Sequence, residues 1–173
     1  MAITMFTSST PAAETRDRDE IQDKYKWDLT DLYPDDQAWE TALTHLDQEK
    51  GKIADFKDRL GDSAGTLLEC LEFLSKLDRE FSRLYTYASQ ASDLDTRVSK
   101  YQAMKQRIQQ VLTDFGSEAA FIEPEILAID SARIDEFIAA EKGLAVHRFY
   151  LRDLQRKKEH RLSEKEEKIL ARA

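Results

Sequence analysis

From Leu67 to Ala91 the apolar residues advance in steps of three and four without a break: Leu67, Cys70, Leu74, Leu77, Phe81, Leu84, Ala88 and Ala91. Steps of that size put them all on one stripe of an α-helix, and a strand, whose faces alternate every second residue, cannot collect them. A stripe this long needs a neighbour to cover it. Tyr101, Met104, Ile108, Val111 and Phe115 supply one, after a polar break at Ser92-Asp93-Leu94-Asp95-Thr96 in which Asp95 is expected to cap the second helix. Two heptad-like helices joined by a short polar turn fold back as an antiparallel hairpin, and the shrinkage to Ala88 and Ala91 beside the turn lets the helices approach closely there. The predicted class is all-α.

The remaining segments fit around that hairpin. Residues 1–24 are rich in Ser, Thr and Ala and then alternately charged, and are expected to form a disordered tail. Order is expected from Tyr25-Lys26-Trp27-Asp28-Leu29, then a turn at Tyr33-Pro34-Asp35-Asp36 whose aspartates cap the next helix. That first helix is read over residues 36–60, with Trp39, Leu43, Leu46, Ile53 and Phe56 inward and Gly51 a mild cost inside it. Thr66-Leu67-Leu68-Glu69 offers a capping box for the hairpin's first helix, with Ser63 able to start it a turn earlier. Beyond Gly116, Phe121-Ile122-Glu123-Pro124-Glu125-Ile126-Leu127 reads as a proline bend carrying core residues into a short helix. Asp130-Ser131 is expected to cap a helix over 132–140 that turns Ile134, Phe137 and Ile138 inward and closes at Lys142-Gly143.

The last thirty residues are basic, nine Lys and Arg against five Asp and Glu, so residues 144–173 carry +4 and residues 1–143 carry −12 of the net −8. Leu144, Phe149, Leu151 and Leu154 form the expected apolar side of a helix, and Arg148, Arg152 and Arg156, four apart, form a stripe. The acidic front half disfavours nucleic acid, and the asymmetry is better explained by pairing between the two halves. Ser163-Glu164-Lys165-Glu166 is a capping box that opens one more helix, yet no glycine or proline closes it before Ala173. The chain is therefore expected to be the front piece of a longer protein. Its expected division is a tail at 1–24, a helical domain with the hairpin at 25–118, and the start of a further lobe at 119–173.

Chemistry is sparse. The single cysteine, Cys70, excludes an internal disulfide, and its place among leucines predicts an inert buried thiol. The histidines are His45, His147 and His160; no two stand four apart, and no His-Glu-x-x-His occurs. No glycine-rich phosphate loop or Gly-x-Ser-x-Gly elbow is present. No catalytic, cofactor-binding or metal-binding residue is assigned. Tyr85, Tyr87, Tyr101 and Phe115 suit a peptide groove or helix packing, and packing is preferred. The arginine stripe suits a peptide carboxylate, or pairing with acidic groups of this protein or of its missing part. With no apolar run near the roughly 18 residues of a membrane helix and no secretory leader pattern, the expected compartment is the cytoplasm.

Two blocks carry a family resemblance. The first is Trp27-Asp28-Leu29-Thr30-Asp31-Leu32-Tyr33 with Trp39. The second is Phe121 to Leu127, followed by Leu151, Leu154, Arg156, Lys157, His160-Arg161-Leu162-Ser163 and Glu166-Glu167-Lys168-Ile169-Leu170. In order and spacing they resemble the N-terminal region of oligoendopeptidase F, in the thimet-oligopeptidase-like (M3) zinc metallopeptidases. The resemblance implies a cytosolic, helical, two-lobed enzyme that cleaves short peptides. It also implies that zinc is held by a His-Glu-x-x-His helix and a later glutamate far beyond this segment. This piece would then cover the cleft, restrict entry and be inactive alone, its partners being short peptides and the missing catalytic lobe, with self-association through exposed apolar surface. A self-contained helical adaptor that docks a partner helix on its hairpin is the alternative.

Overall fold

A computed structural model describes residues 20–158, and within them every regular element is helical. The expected tail, for its first nineteen residues, and the expected final helix lie outside the described residues.

Helix α1, Asp36–Lys50, begins where Asp35 holds an extended backbone and its Oδ1 accepts from the Ala38 amide at 2.8 Å. It buries Trp39, Leu43 and Leu46, three and four apart, as the sequence requires. It does not continue to residue 60. At Gly51 the chain tightens into a 3₁₀ segment, Gly51–Phe56, and then turns through Asp58 in the left-handed region, φ 61°. A carboxylate from far along the chain holds that turn: Glu125 accepts from the Asp58 amide at 2.6 Å and from the Leu60 amide at 3.4 Å. Two donors that the broken helix would leave unpaired are thereby satisfied. Ile53 and Leu60 still reach the core, both fully buried.

The hairpin forms as expected. Helix α2 is Ala64–Leu94 and α3 is Ser99–Glu118. Phe81 stacks on Phe115 with ring centroids 5.4 Å apart, and near the turn Gln102 donates to the Ser92 hydroxyl at 2.6 Å, which makes the pair antiparallel. Both caps differ in detail. Ser63, not Thr66, is the N-cap of α2, accepting from the Thr66 amide at 3.0 Å, because Thr66 already lies inside the first turn. Asp95 does not cap α3, whose N-cap is Val98 with no side-chain bond. The Asp95 carboxylate instead accepts from the Arg97 amide at 2.9 Å, closing an Asx turn between the helices.

The second half packs on the end of α2 away from that turn. Helix α4 is Ile122–Ala128, with Pro124 in its first turn, where the missing amide costs nothing. Helix α5 is Ser131–Ala140; Asp130 stands at its cap position, but the carboxylate makes no cap bond. Helix α6 is Arg148–Lys158 and buries Leu151 and Leu154. Gln155 of α6 donates to the Ile126 carbonyl at 2.8 Å and the Ile129 carbonyl at 3.3 Å, so it ties α6 to the end of α4. Phe149, expected inward, is 80% exposed. Two positions from Leu151 on a helix is more than half a turn, so the side that buries Leu151 and Leu154 turns Phe149 outward.

Between α5 and α6 the 3₁₀ segment Lys142–His147 brings Gly143 against α2, where a Cβ would overlap Leu68 Cδ2. Gly116, inside α3, has nothing within 4 Å of such a Cβ. Alanine should therefore act with opposite sign at the two positions. Gly116→Ala should stabilise by about 0.5–1 kcal/mol, and Gly143→Ala should destabilise by about 1 kcal/mol because the half-buried Leu68 can yield only partly. Urea unfolding midpoints check this; equal effects would contradict the close approach at Gly143.

Candidate functional site

The residues singled out for chemistry do not converge. Cys70 is fully buried, and burial pushes its thiol up to about 12, so it carries no thiolate at neutral pH. His45 lies on α1 and His147 beside α6, while His160 lies outside the described residues. Among the described residues no three His, Cys, Asp or Glu side chains are grouped to hold a metal ion, so residues 20–158 do not fit a zinc centre. The arginine stripe is largely engaged within the chain. Arg152 pairs with Asp135 of α5 at 2.9 Å, and Arg156 and Lys157 both pair with Asp153. Phe115 packs in the core, and Tyr85 is exposed.

The other two aromatics take part in a cleft. At the turn end of the hairpin a space of about 850 Å³ opens between the segment before α1 and the α2–α3 turn. Trp27, Leu29 and Tyr33 form one wall; Tyr87, Ala91, Leu94, Val98 and Tyr101 form the other. Asp28, Asp95 and Arg97 stand among them. Periodicity could not reveal this cleft, because its walls come from positions 27–33 and 87–101, which only the folded hairpin brings together. The one sequence signal was the crowding of aromatics in the first block.

Polar bonds fix the walls. Tyr33 and Tyr87 meet edge to face with centroids 5.6 Å apart. The Tyr87 hydroxyl donates to Asp36 Oδ1 at 2.7 Å, and Lys100 pairs with the other Asp36 oxygen, so one carboxylate joins the starts of α1 and α3 to α2. Partial burial raises the Asp36 pKa, but the hydrogen bonds from Lys100 and Tyr87 outweigh it and leave the group below the usual carboxylate range. Burial raises the Tyr87 phenol, and its bond to Asp36 raises it further. Arg97 grips Asp95 through Nε at 2.9 Å and Nη2 at 2.8 Å. Together with the Arg97 amide this lowers the Asp95 carboxyl to about 2. Asp28 accepts from the Thr30 hydroxyl at 2.6 Å and amide at 2.9 Å, which lowers its carboxyl too. A second, more apolar groove of about 560 Å³ lies between α1 and α2, floored by Leu46 and Leu77.

Comparison with known proteins gives this scaffold its place. The family model described as Oligopeptidase F matches residues 125–173. Oligopeptidase PepF of Bacillus subtilis is 33% identical over 94% of this chain and 24% of its own length. The plasmid-encoded oligoendopeptidase F of Lactococcus lactis subsp. cremoris is 36% identical over 91% of this chain and 26% of its own. The chain is a homologue of the N-terminal part of oligoendopeptidase F. The crystal structure of oligoendopeptidase-F from Enterococcus faecium overlays with a TM-score of 0.65 at 28% identity, over 79% of this chain and 27% of that one. The helical fold is thus shared with that solved peptidase structure, and the chain spans about a quarter of the length of the curated relatives it matches.

The Asp36 junction makes a prediction. A folded pKa below the ordinary aspartate value of 3.8 means stability that is complete above that value and lost as the pH falls through the folded one. Asp36→Asn should therefore cost about 1–2 kcal/mol at pH 7, as a weakened charge-assisted bond does, and the cost should shrink as the pH falls below 3.8. Denaturant midpoints of both proteins across pH 2–7 measure it; a cost that persists undiminished at the acid end would contradict this role.

Proposed function

We propose that this chain is the N-terminal, non-catalytic part of a zinc-dependent oligoendopeptidase that hydrolyses short peptides in the cytoplasm. Its helices cover the catalytic cleft and restrict entry to oligopeptides. The observation that carries the reading is the span of the likeness: about nine tenths of this chain aligns with peptidases, and the alignment uses only about a quarter of each peptidase. In this reading the zinc ligands and the reacting groups belong to other parts of the polypeptide, and residues 20–158 contribute a rigid wall. The junction at Asp36 and the grip of Glu125 on the 57–60 turn support this reading.

A chimera tests the reading. This chain is placed in the Bacillus subtilis relative in exchange for the quarter it matches, and hydrolysis is measured on fluorogenic peptides of increasing length. The chimera should cleave short peptides and keep the upper length limit of the parent, and deletion of the region should relax that limit. A folded chimera whose length profile equals that of the deletion would sink the covering role. Zinc-dependent hydrolysis by the 173-residue chain alone would sink the non-catalytic assignment.

A further inference from the structure

The cleft at the turn end of the hairpin has a chemistry of its own, independent of any zinc site. Four aromatic rings, Trp27, Tyr33, Tyr87 and Tyr101, surround a space of about 850 Å³, within the range of small-molecule and peptide side-chain sites. The charged residues lining it are Glu20, Asp28 and Asp95 against Arg97. Arg97 and Asp95 cancel in a bidentate pair, so Glu20 and Asp28 leave the lining with excess negative charge. Asp28 and Asp95 are held ionised by donors on their own turns, so this charge persists through the neutral range. An anionic ligand would meet those carboxylates with a single guanidinium already engaged.

Aromatic faces and carboxylates together favour an organic cation, since the ring quadrupole attracts positive charge most strongly where water is partly excluded. The protein already uses these rings in that way. The Arg83 guanidinium lies 5.1 Å from the Tyr33 ring centre, and the Lys100 ammonium lies 5.9 Å from that of Tyr101. One further group is unaccounted for: the Tyr33 hydroxyl, in a residue 6% exposed, has no hydrogen-bond partner among the described residues. Native folds rarely leave such a group unpaired, and here it belongs to a side chain that forms the cleft wall.

We propose that this cleft binds an ammonium or guanidinium group presented by a peptide, packed between Trp27 and Tyr101 and balanced by Asp28. The cation has two sources, the free amino terminus of a peptide or a lysine or arginine side chain. Both offer the same chemistry to the cleft.

The protein carries its own reporter. Trp27 is 59% exposed at the cleft, whereas Trp39 is fully buried, so a ligand that enters should change the fluorescence of Trp27. The 173-residue chain is titrated with four probes. These are a terminally blocked peptide containing one lysine, its arginine counterpart, an alanine peptide with a free amino terminus and amidated end, and a blocked peptide containing one glutamate. Saturable binding of at least one cationic probe is expected, with the acidic probe silent; whichever cationic probe binds identifies the source. Asp28→Asn and Tyr101→Leu, on opposite walls, should each weaken that binding about tenfold, the loss of one charge contact or one aromatic face. Calorimetric titration of the same probes repeats the measurement without the fluorophore. The proposal is overturned if no cationic probe saturates, if the acidic probe binds as well, or if neither variant alters binding.

Discussion

The Trp39 indole N–H donates to the backbone carbonyl of Leu84 at 2.8 Å, from a side chain with no exposed surface. An indole cannot be buried without a partner at low cost, and here the partner is a main-chain atom within α2, 45 positions away. The bond sets where α1 lies along the hairpin. The third helix joins at the same point: the Arg107 guanidinium sits 5.7 Å from the Trp39 ring centre and bonds Glu40 at 2.5 Å. With the three helices fixed in register, Asp36 meets Tyr87 and Lys100, and Tyr33 meets Tyr87. The cleft walls follow from that register.

A second polar span does for the other half what Trp39 does for the first. Glu125 reaches back to the amides of Asp58 and Leu60, and Gln155 closes the end of α4. Trp39 and Glu125 are both residues of the two sequence blocks that carried the family resemblance. Their roles here are architectural: each offers a buried or half-buried polar atom to backbone far away in sequence. Asp28 and Tyr33 of the first block act likewise, one folding a turn and the other joining the aromatic wall.

Local physics made much of this readable and fails where the cause is distant. The hairpin was legible because apolar steps of three and four over α2 and α3 admit one periodicity, and the α1 cap because Asp35 acts within four residues. The break at Gly51 was not legible. The glycine's own cost is small, and the decisive partner, Glu125, stands 67 positions from Asp58. Phe149 was misplaced because composition drew it into an apolar set whose spacing excluded it. The cleft was half-visible: Tyr87 and Tyr101 were named as groove candidates, but packing was preferred, and Tyr87 in fact does both by burying its ring and forming a wall. Asp95 was read as a cap because a carboxylate before a helix usually is one, whereas here Arg97 claims it.

Bonds at Trp39, Asp36 and Glu125 to partners far along the chain brace the described helices into one shape. That shape rests on the Trp39 bond. The chain has two tryptophans, and their indole protons give separate signals in a ¹H–¹⁵N spectrum. After transfer to D₂O, the Trp39 indole proton should persist and exchange only at the rate of global unfolding, while that of Trp27, 59% exposed, disappears at once. Immediate loss of both signals would show that the Trp39 junction opens freely, and would contradict the account.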